Sequence, residues 1–154
     1  YADTRVENFA PACYPGQTLA LGCAGGRQEV TGSDLTNAPK WSYTLAARYR
    51  HALENAPFDL IADASYSYRS SVFFTYRDPN ARQPGYGLLN ANLGLASQDG
   101  RYEIIAFARN LLDKQFVSGT GTGFLDNNAA GAGYTQTLTP DAFRRVGVEA
   151  RVNF

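Results

Sequence analysis

FRRVGVEARVNF, residues 143–154, is the stretch that decides the fold. Side chains of a β-strand alternate between its two faces. Every second position of this stretch is apolar, and the positions between them are charged, polar or glycine. The apolar positions are Val146, Val148, Ala150, Val152 and Phe154. This alternation predicts a strand with one face in an apolar medium, which is either membrane hydrocarbon or the interior of a soluble β-sandwich.

Aromatic residues mark both ends of the apolar face in a second stretch, residues 40–50. Trp and Tyr favour the headgroup boundaries of a membrane, whereas a soluble sandwich has no reason to place its rings there. The pattern therefore favours a membrane strand. We predict that the aromatic residues at the lipid interface are Trp41, Tyr43, Tyr49, Tyr66 and Tyr68.

Charged residues of the alternating stretches all fall on the opposite face. They are Arg48, Arg50, Asp59, Asp63, Arg69, Arg145, Glu149 and Arg151. A shift of one residue would turn these charges toward lipid, at roughly 2–4 kcal/mol for each Arg near the midplane. The alternation thus specifies which face of each strand meets lipid.

Six stretches are predicted as strands: 1–9, 40–50, 58–74, 85–97, 101–116 and 143–154. The faces of 101–116 cannot be assigned, because Ile104 and Ile105 are adjacent apolar residues; a β-bulge is one explanation. Short connections at His51–Pro57 and Gln98–Gly100 alternate with long ones. Since outer-membrane barrels have short periplasmic turns and long extracellular loops, residue 154 is expected in the periplasm.

Composition narrows the class of protein. The chain has 154 residues, and its 14 Lys and Arg balance its 14 Asp and Glu, which removes the simplest argument for nucleic-acid binding. No apolar run reaches the ~20 residues of a membrane helix. Cys13 and Cys23 are too few for a tetrahedral zinc site, so we expect a loop disulfide in an oxidising compartment; two free thiols are the alternative.

Catalytic patterns are missing from the sequence. His51 is the single histidine, and no GxSxG, HExxH or P-loop pattern occurs. We predict no enzyme activity, no catalytic or metal-binding residue and no cofactor. Loop position makes four aromatic or basic residues possible extracellular ligand contacts: Tyr76, Arg77, Phe124 and Tyr134.

Four features together resemble a known family. They are Asn37-Ala38-Pro39-Lys40 at a strand entry, Gly85-Tyr86 before a strand, Asn110-Leu111-Leu112-Asp113-Lys114 after one, and the final Phe154. The chain resembles the C-terminal part of a TonB-dependent outer-membrane receptor. The loop from Cys13 to Cys23 is similar to one found in the α-proteobacterial members.

The resemblance implies an all-β fold, an antiparallel transmembrane β-barrel. Such receptors have a barrel of roughly 22 strands around an N-terminal plug, and this chain would supply the last five to six strands. The plug and the remaining barrel would lie outside this chain, in the same polypeptide or a separate one. Phe154, Val152 and Val148 resemble the signal that the barrel-assembly machinery recognises.

The function implied is uptake of a scarce nutrient, such as a ferric siderophore, cobalamin or an oligosaccharide, energised through TonB. The expected location is the outer membrane of a Gram-negative bacterium, with lipid, plug and TonB as partners. One alternative is an extracellular β-sandwich binding or adhesion module with one loop disulfide. Another is a passive porin-like channel. The outward valines, leucines and tyrosines decide against the sandwich if nothing of this chain packs on them.

Overall fold

Strands and their connections make up the described structure. This computed structural model describes residues 1–122 and 133–154. In chain order its strands are β1 (Cys23–Ala24), β2 (Arg27–Gln28), β3 (Ser42–Ala52), β4 (Phe58–Arg69), β5 (Val72–Phe73), β6 (Arg82–Gln83), β7 (Tyr86–Ser97), β8 (Tyr102–Arg109), β9 (Gly119–Thr122), β10 (Tyr134–Thr137) and β11 (Arg145–Val152). Within these residues the helical elements are short 3₁₀ turns at Leu19–Leu21, Pro79–Ala81 and Pro140–Ala142. The all-β prediction is confirmed for the described residues.

Two compact units divide the chain. The sheet unit consists of Tyr43–Tyr68, Tyr86–Gln115 and Thr139–Phe154. The loop unit consists of Tyr1–Ser42, Arg69–Gly85 and Phe116–Leu138. The long connections between the strands of the sheet unit therefore belong to the loop unit.

One sheet joins the five long strands in the order β11–β8–β7–β4–β3. β8 pairs antiparallel with β11 from Arg145↔Arg109 to Val152↔Tyr102, and with β7 from Ala91↔Ala108 onward. These five strands lie in the sheet in the order in which they occur along the chain, which is the usual arrangement of consecutive antiparallel strands. β3, β4 and β7 have 11, 12 and 12 residues, which matches the ~9–11 of a membrane strand rather than the usual ~5–6. The sheet of this chain is open, not a closed barrel.

One face of the sheet is apolar, and its large side chains are exposed in the structure of residues 1–122 and 133–154. They include Tyr43, Leu45, Tyr49, Leu93, Leu95, Tyr102, Ile104, Val146, Val148 and Val152. Val146 and Val148 keep 72% and 71% of their surface. The alternative of a soluble sandwich is not favoured, because a sandwich would bury this face beneath a second layer.

Unbroken pairing assigns the faces of β8. Ile104 lies on the apolar face, while Ile105 and Phe107 lie on the polar face. No bulge interrupts the described pairs of β8, so that explanation is wrong. A Cβ on Gly94 would stand 2.8 Å from Ile105, and one on Gly147 would stand 2.6 Å from the Phe107 ring. The two glycines on neighbouring strands leave room for two large apolar side chains on the polar face.

The predicted strand at residues 1–9 is wrong. These residues form no strand, and Asn8 has a positive φ of 49° that breaks an extended conformation. Val6 is buried and its main chain bonds to a loop: its N–H donates to Ser33, and its carbonyl accepts from Gly32. The stretch is therefore part of the loop unit.

Two predicted strands are too long. The strand predicted at 58–74 ends at Arg69, because Val72–Phe73 pairs with Arg82–Gln83 in a separate ribbon. The strand predicted at 101–116 ends at Arg109, because Asn110 adopts a φ of 48°. The other three predicted strands agree with the structure within two residues at each end.

Packing in the loop unit involves both apolar and polar side chains. The buried apolar residues there are Val6, Tyr14, Val30, Val72, Ala81 and Phe116. Gln28, Asp78 and Gln83 are buried polar residues of the same unit. Cys13 and Cys23 form the expected disulfide, which confirms that prediction. The long connections are therefore a folded unit rather than loops without a core.

Candidate functional site

Three of the five predicted interface aromatics, Tyr43, Tyr66 and Tyr68, lie near one another. Trp41, Tyr43 and Tyr49 are exposed, whereas Tyr66 and Tyr68 are half-buried. The Tyr43 ring lies 5.2 Å from that of Tyr68 and 6.4 Å from that of Tyr66. Their placement at a lipid interface stays a prediction.

Ion pairs link β3 to β4 on the polar face of the sheet. Arg48 Nε lies 2.6 Å from Asp63 Oδ1, and Arg50 Nε lies 2.6 Å from Asp59 Oδ2. Both arginines are exposed, so solvent screens these pairs and they are weak contributors to stability. What the pairs specify is the register, because a one-residue shift would separate them.

Ion pairs of the same kind occur on the polar face at the other edge of the sheet, where β8 pairs with β11. Arg151 lies 3.2 Å from Glu103 on β8 and 2.9 Å from Glu149 on its own strand. Arg109 donates to the Asn92 amide oxygen at 2.7 Å. The polar face thus carries paired charges and amides from β3 to β11, as a wall facing water would.

A concavity of about 330 Å³ lies on the middle of the sheet. Polar and charged residues supply much of its lining: Arg48, Asp63, Ser65, Asn90, Asn92 and Arg109. Arg48 already pairs with Asp63, and Arg109 already donates to Asn92. These polar groups of the concavity are therefore bonded to one another rather than available to a ligand.

The stretch after β8 forms a hydrogen-bonded turn around a buried amide. Asn110 is 1% exposed, and its side-chain nitrogen donates to the carbonyls of Lys114 at 3.0 Å and Asp141 at 3.1 Å. Its side-chain oxygen accepts from the Lys114 N–H at 2.8 Å. Asp113 accepts from the Arg144 N–H at 3.1 Å. The NLLDK turn therefore ties the end of β8 to the entry of β11.

The predicted ligand contacts have different surroundings within the loop unit. Arg77 is exposed and Tyr76 half-buried, and both line one pocket. Tyr134 is half-buried, and its hydroxyl donates to Asp78 Oδ2 at 2.5 Å. Phe124 lies outside the described residues. Ligand contact by any of the four stays a prediction.

Burial and hydrogen bonding perturb the Tyr134 phenol. Burial, followed by the hydrogen bond to Asp78, raises the pKa of Tyr134 to about 12. Asp78 is fully buried and also accepts from the Asn80 N–H at 2.9 Å. The pair therefore joins two segments of the loop unit that are distant in sequence.

Sequence reasoning missed Asp78, Gln28 and Gln83. Gln28 donates to the carbonyls of Ala12 and Tyr76, and Gln83 accepts from the Val117 N–H. One signal was present for Asp78: the Asp-Pro-Asn order favours a turn in which the Asp side chain bonds two residues onward. Nothing in the sequence marks the two glutamines as buried.

Two kinds of feature are absent from the described residues. No helix within residues 1–122 and 133–154 has the length and apolarity to cross a membrane. Across the same residues, no three His, Cys, Asp or Glu side chains group closely enough to hold a metal ion.

An antiparallel sheet with one exposed apolar face and one ion-paired face defines the wall of a transmembrane β-barrel. Residues 14–111 match the family described as TonB dependent receptor-like, beta-barrel. The chain belongs to this family, whose members are receptors of the outer membrane. No curated protein and no solved structure matches the chain.

Proposed function

We propose that this chain supplies barrel wall and extracellular loops to a receptor that imports a scarce nutrient through TonB. The observation that supports the proposal most is the sheet unit, whose apolar face is exposed while its other face carries ion pairs. Family membership supports the receptor role. In this proposal the chain catalyses no reaction.

The orientation follows from connection lengths. The short connections, Leu53–Pro57 and Gln98–Arg101, would face the periplasm together with Phe154. The loop unit would face the medium. Its disulfide between Cys13 and Cys23 supports an oxidising surrounding.

In this proposal the complete receptor needs further components besides this chain. The plug and the rest of a barrel of roughly 22 strands would enclose the polar face. TonB would act through the plug, and the barrel-assembly machinery would insert the whole. Ferric siderophores, cobalamin and oligosaccharides are the nutrient classes proposed.

Depletion of solutes from the medium tests the proposal. Three strains of the natural host are compared: wild type, one lacking the gene for this chain, and one lacking TonB. We expect at least one nutrient to be taken up by wild type and by neither mutant. Uptake that needs this gene but not TonB would instead identify a passive channel. Recovery of the protein outside the outer-membrane fraction would refute the proposal.

A further inference from the structure

A pocket of about 290 Å³ lies within the loop unit. Six of its lining residues carry the argument: Arg5, Asp34, Lys40, Phe73, Tyr76 and Arg77. The volume is close to the lower limit of about 300 Å³ for small-molecule sites, so it suits a ligand with a single ring.

We propose that this pocket binds a small solute that carries a carboxylate on a planar apolar body. The inference rests on the proposed function, because it names the chemical class of ligand that the loop unit would first bind from the medium.

The charged residues that line the pocket favour an anionic ligand. Three cations, Arg5, Lys40 and Arg77, line the pocket against one carboxylate, that of Asp34. Lys40 Nζ lies 3.0 Å from Asp34 Oδ2. An ammonium has three N–H donors, so Lys40 keeps donors for a ligand after this contact.

Arg5 is held in place but not saturated. Its Nε lies 3.1 Å from Asp3, and its Nη1 donates to the Gly32 carbonyl at 3.1 Å. A guanidinium has five N–H donors, so three of them remain. The lining of the pocket therefore has an excess of donors that a carboxylate can satisfy and a neutral apolar group cannot.

Arg77 is the cation with the least compensation. It makes no hydrogen bond or ion pair with a described residue. Hydrogen bonds from the hydroxyl and N–H of Thr31 hold the pKa of Glu29 below its ordinary value, and the charge of Arg77 adds to this only weakly. Arg77 also has a positive φ of 56°, an uncommon conformation for a non-glycine residue, which the surrounding loop holds.

Two rings supply the apolar part of the pocket. The Tyr76 ring meets the edge of the Phe9 ring at 5.9 Å, and the Tyr76 carbonyl accepts from buried Gln28 at 3.3 Å. Phe73 is exposed at the pocket and lies in the β5–β6 ribbon. The contact with Phe9 holds the Tyr76 ring in place before a ligand arrives, which lowers the entropy cost of binding.

Fluorine NMR titration of the intact receptor in detergent tests the pocket, with para-fluorobenzoate as the ligand. We expect saturable binding of para-fluorobenzoate and at least about tenfold weaker binding of the neutral para-fluorobenzamide, since hydrogen bonds to charged groups are the strong ones. Equal binding of the two compounds, or no saturable binding of the benzoate, would overturn the proposal.

Matched variants locate the binding. Arg77→Gln should weaken benzoate binding about tenfold or more, and Arg77→Lys should restore part of it. Arg101→Gln makes the same charge change in the Gln98–Arg101 turn of the sheet unit and should leave binding unchanged. If Arg101→Gln weakens binding as much as Arg77→Gln, the site is not this pocket.

The binding measurement needs neither TonB nor transport. Binding that persists in a protein whose uptake does not require TonB would leave the pocket standing and refute the proposed function. Failure of benzoate binding in a TonB-dependent importer would refute the pocket alone.

Discussion

Ile104 and Ile105 are adjacent, identical residues on opposite faces of β8, so substituting each with Arg isolates the effect of the face. Ile104 is 58% exposed on the apolar face, between Leu95 of β7 and Ala150 of β11. Ile105 is half-buried on the polar face, and Glu149 lies directly opposite it on β11.

The depth of each position sets the magnitude. Arg on a lipid face costs about 2–4 kcal/mol at the midplane and about 0–1 kcal/mol near the interface. Ile104 is the third residue of β8, between these limits, so we expect Ile104→Arg to cost about 2 kcal/mol, or roughly a 30-fold loss in the folding equilibrium.

Ile105→Arg should cost far less. Gly94 leaves space beside position 105, and Glu149 is an opposite charge across the strand. Such a cross-strand pair stabilises by about 0.2–1 kcal/mol, which offsets part of the lost packing. We expect a net cost below about 1 kcal/mol.

Urea titration of the intact receptor in phospholipid vesicles measures both variants, with heat-modifiable gel migration as a second indicator of folding. Ile104→Val is the control, since it keeps an apolar side chain outward. The face assignment is refuted if Ile105→Arg destabilises the receptor as much as Ile104→Arg does.

Three further predictions concern packing and hydrogen bonds. Gly147→Ala places a Cβ 2.6 Å from the Phe107 ring and should cost about 1–3 kcal/mol in urea titration, with Phe107→Leu restoring stability; no loss would contradict the packing. Asn110→Ala removes three side-chain hydrogen bonds and should cost about 3 kcal/mol in the same titration, whereas a loss below about 1 kcal/mol would argue against the turn's role. Tyr134→Phe leaves Asp78 without its donor and should speed proteolysis of the loop unit, a rate that would stay unchanged if the bond were unimportant. Because the folded pKa of Tyr134 is about 12 against 10.0 for an ordinary phenol, its stabilising contribution is complete below pH 10.0 and lost as pH rises through about 12, which phenolate absorbance follows; titration at the ordinary value would refute burial of the phenol.

Alternation predicted the long strands because each meets two different media. In β7, Leu93 and Leu95 lie on the apolar face, whereas Asn90 and Asn92 lie on the polar face. The turn at Gly100 then connects β7 to β8. The period of the strand alone is enough for such a prediction, since no contact with another strand has to be known.

Strand β8 could not be assigned in this way. Ile105 and Phe107 break the alternation, yet both lie on the polar face because Gly94 and Gly147 leave space beside them. Which glycine lies beside which ring depends on the pairing of three strands. The sequence of β8 alone does not contain that information.

The loop unit shows why an absence of period does not mean an absence of structure. Its core includes Gln28, Asp78 and Gln83, each of which bonds to at least one main-chain or hydroxyl group distant in sequence. Hydrogen bonds of this kind have no repeat, so they leave no pattern to read along the chain. Sequence reasoning found the disulfide there because cysteine pairing depends on residue type rather than on period.

Asn110 stands where a strand that a periodic pattern can predict meets hydrogen bonds that have no period. The NLLDK stretch carried the family resemblance without a physical reason, and it begins directly after β8, which ends at Arg109. Asn tolerates the positive φ of 48° that stops the strand, and its amide can both donate and accept. Both capacities are used, toward Lys114 and Asp141. Asp shares the tolerance for positive φ but, when ionised, only accepts hydrogen bonds, so at this buried position it would lose both donated bonds. At position 110 a single Asn side chain therefore both allows the chain to turn and ties the two ends of one long connection.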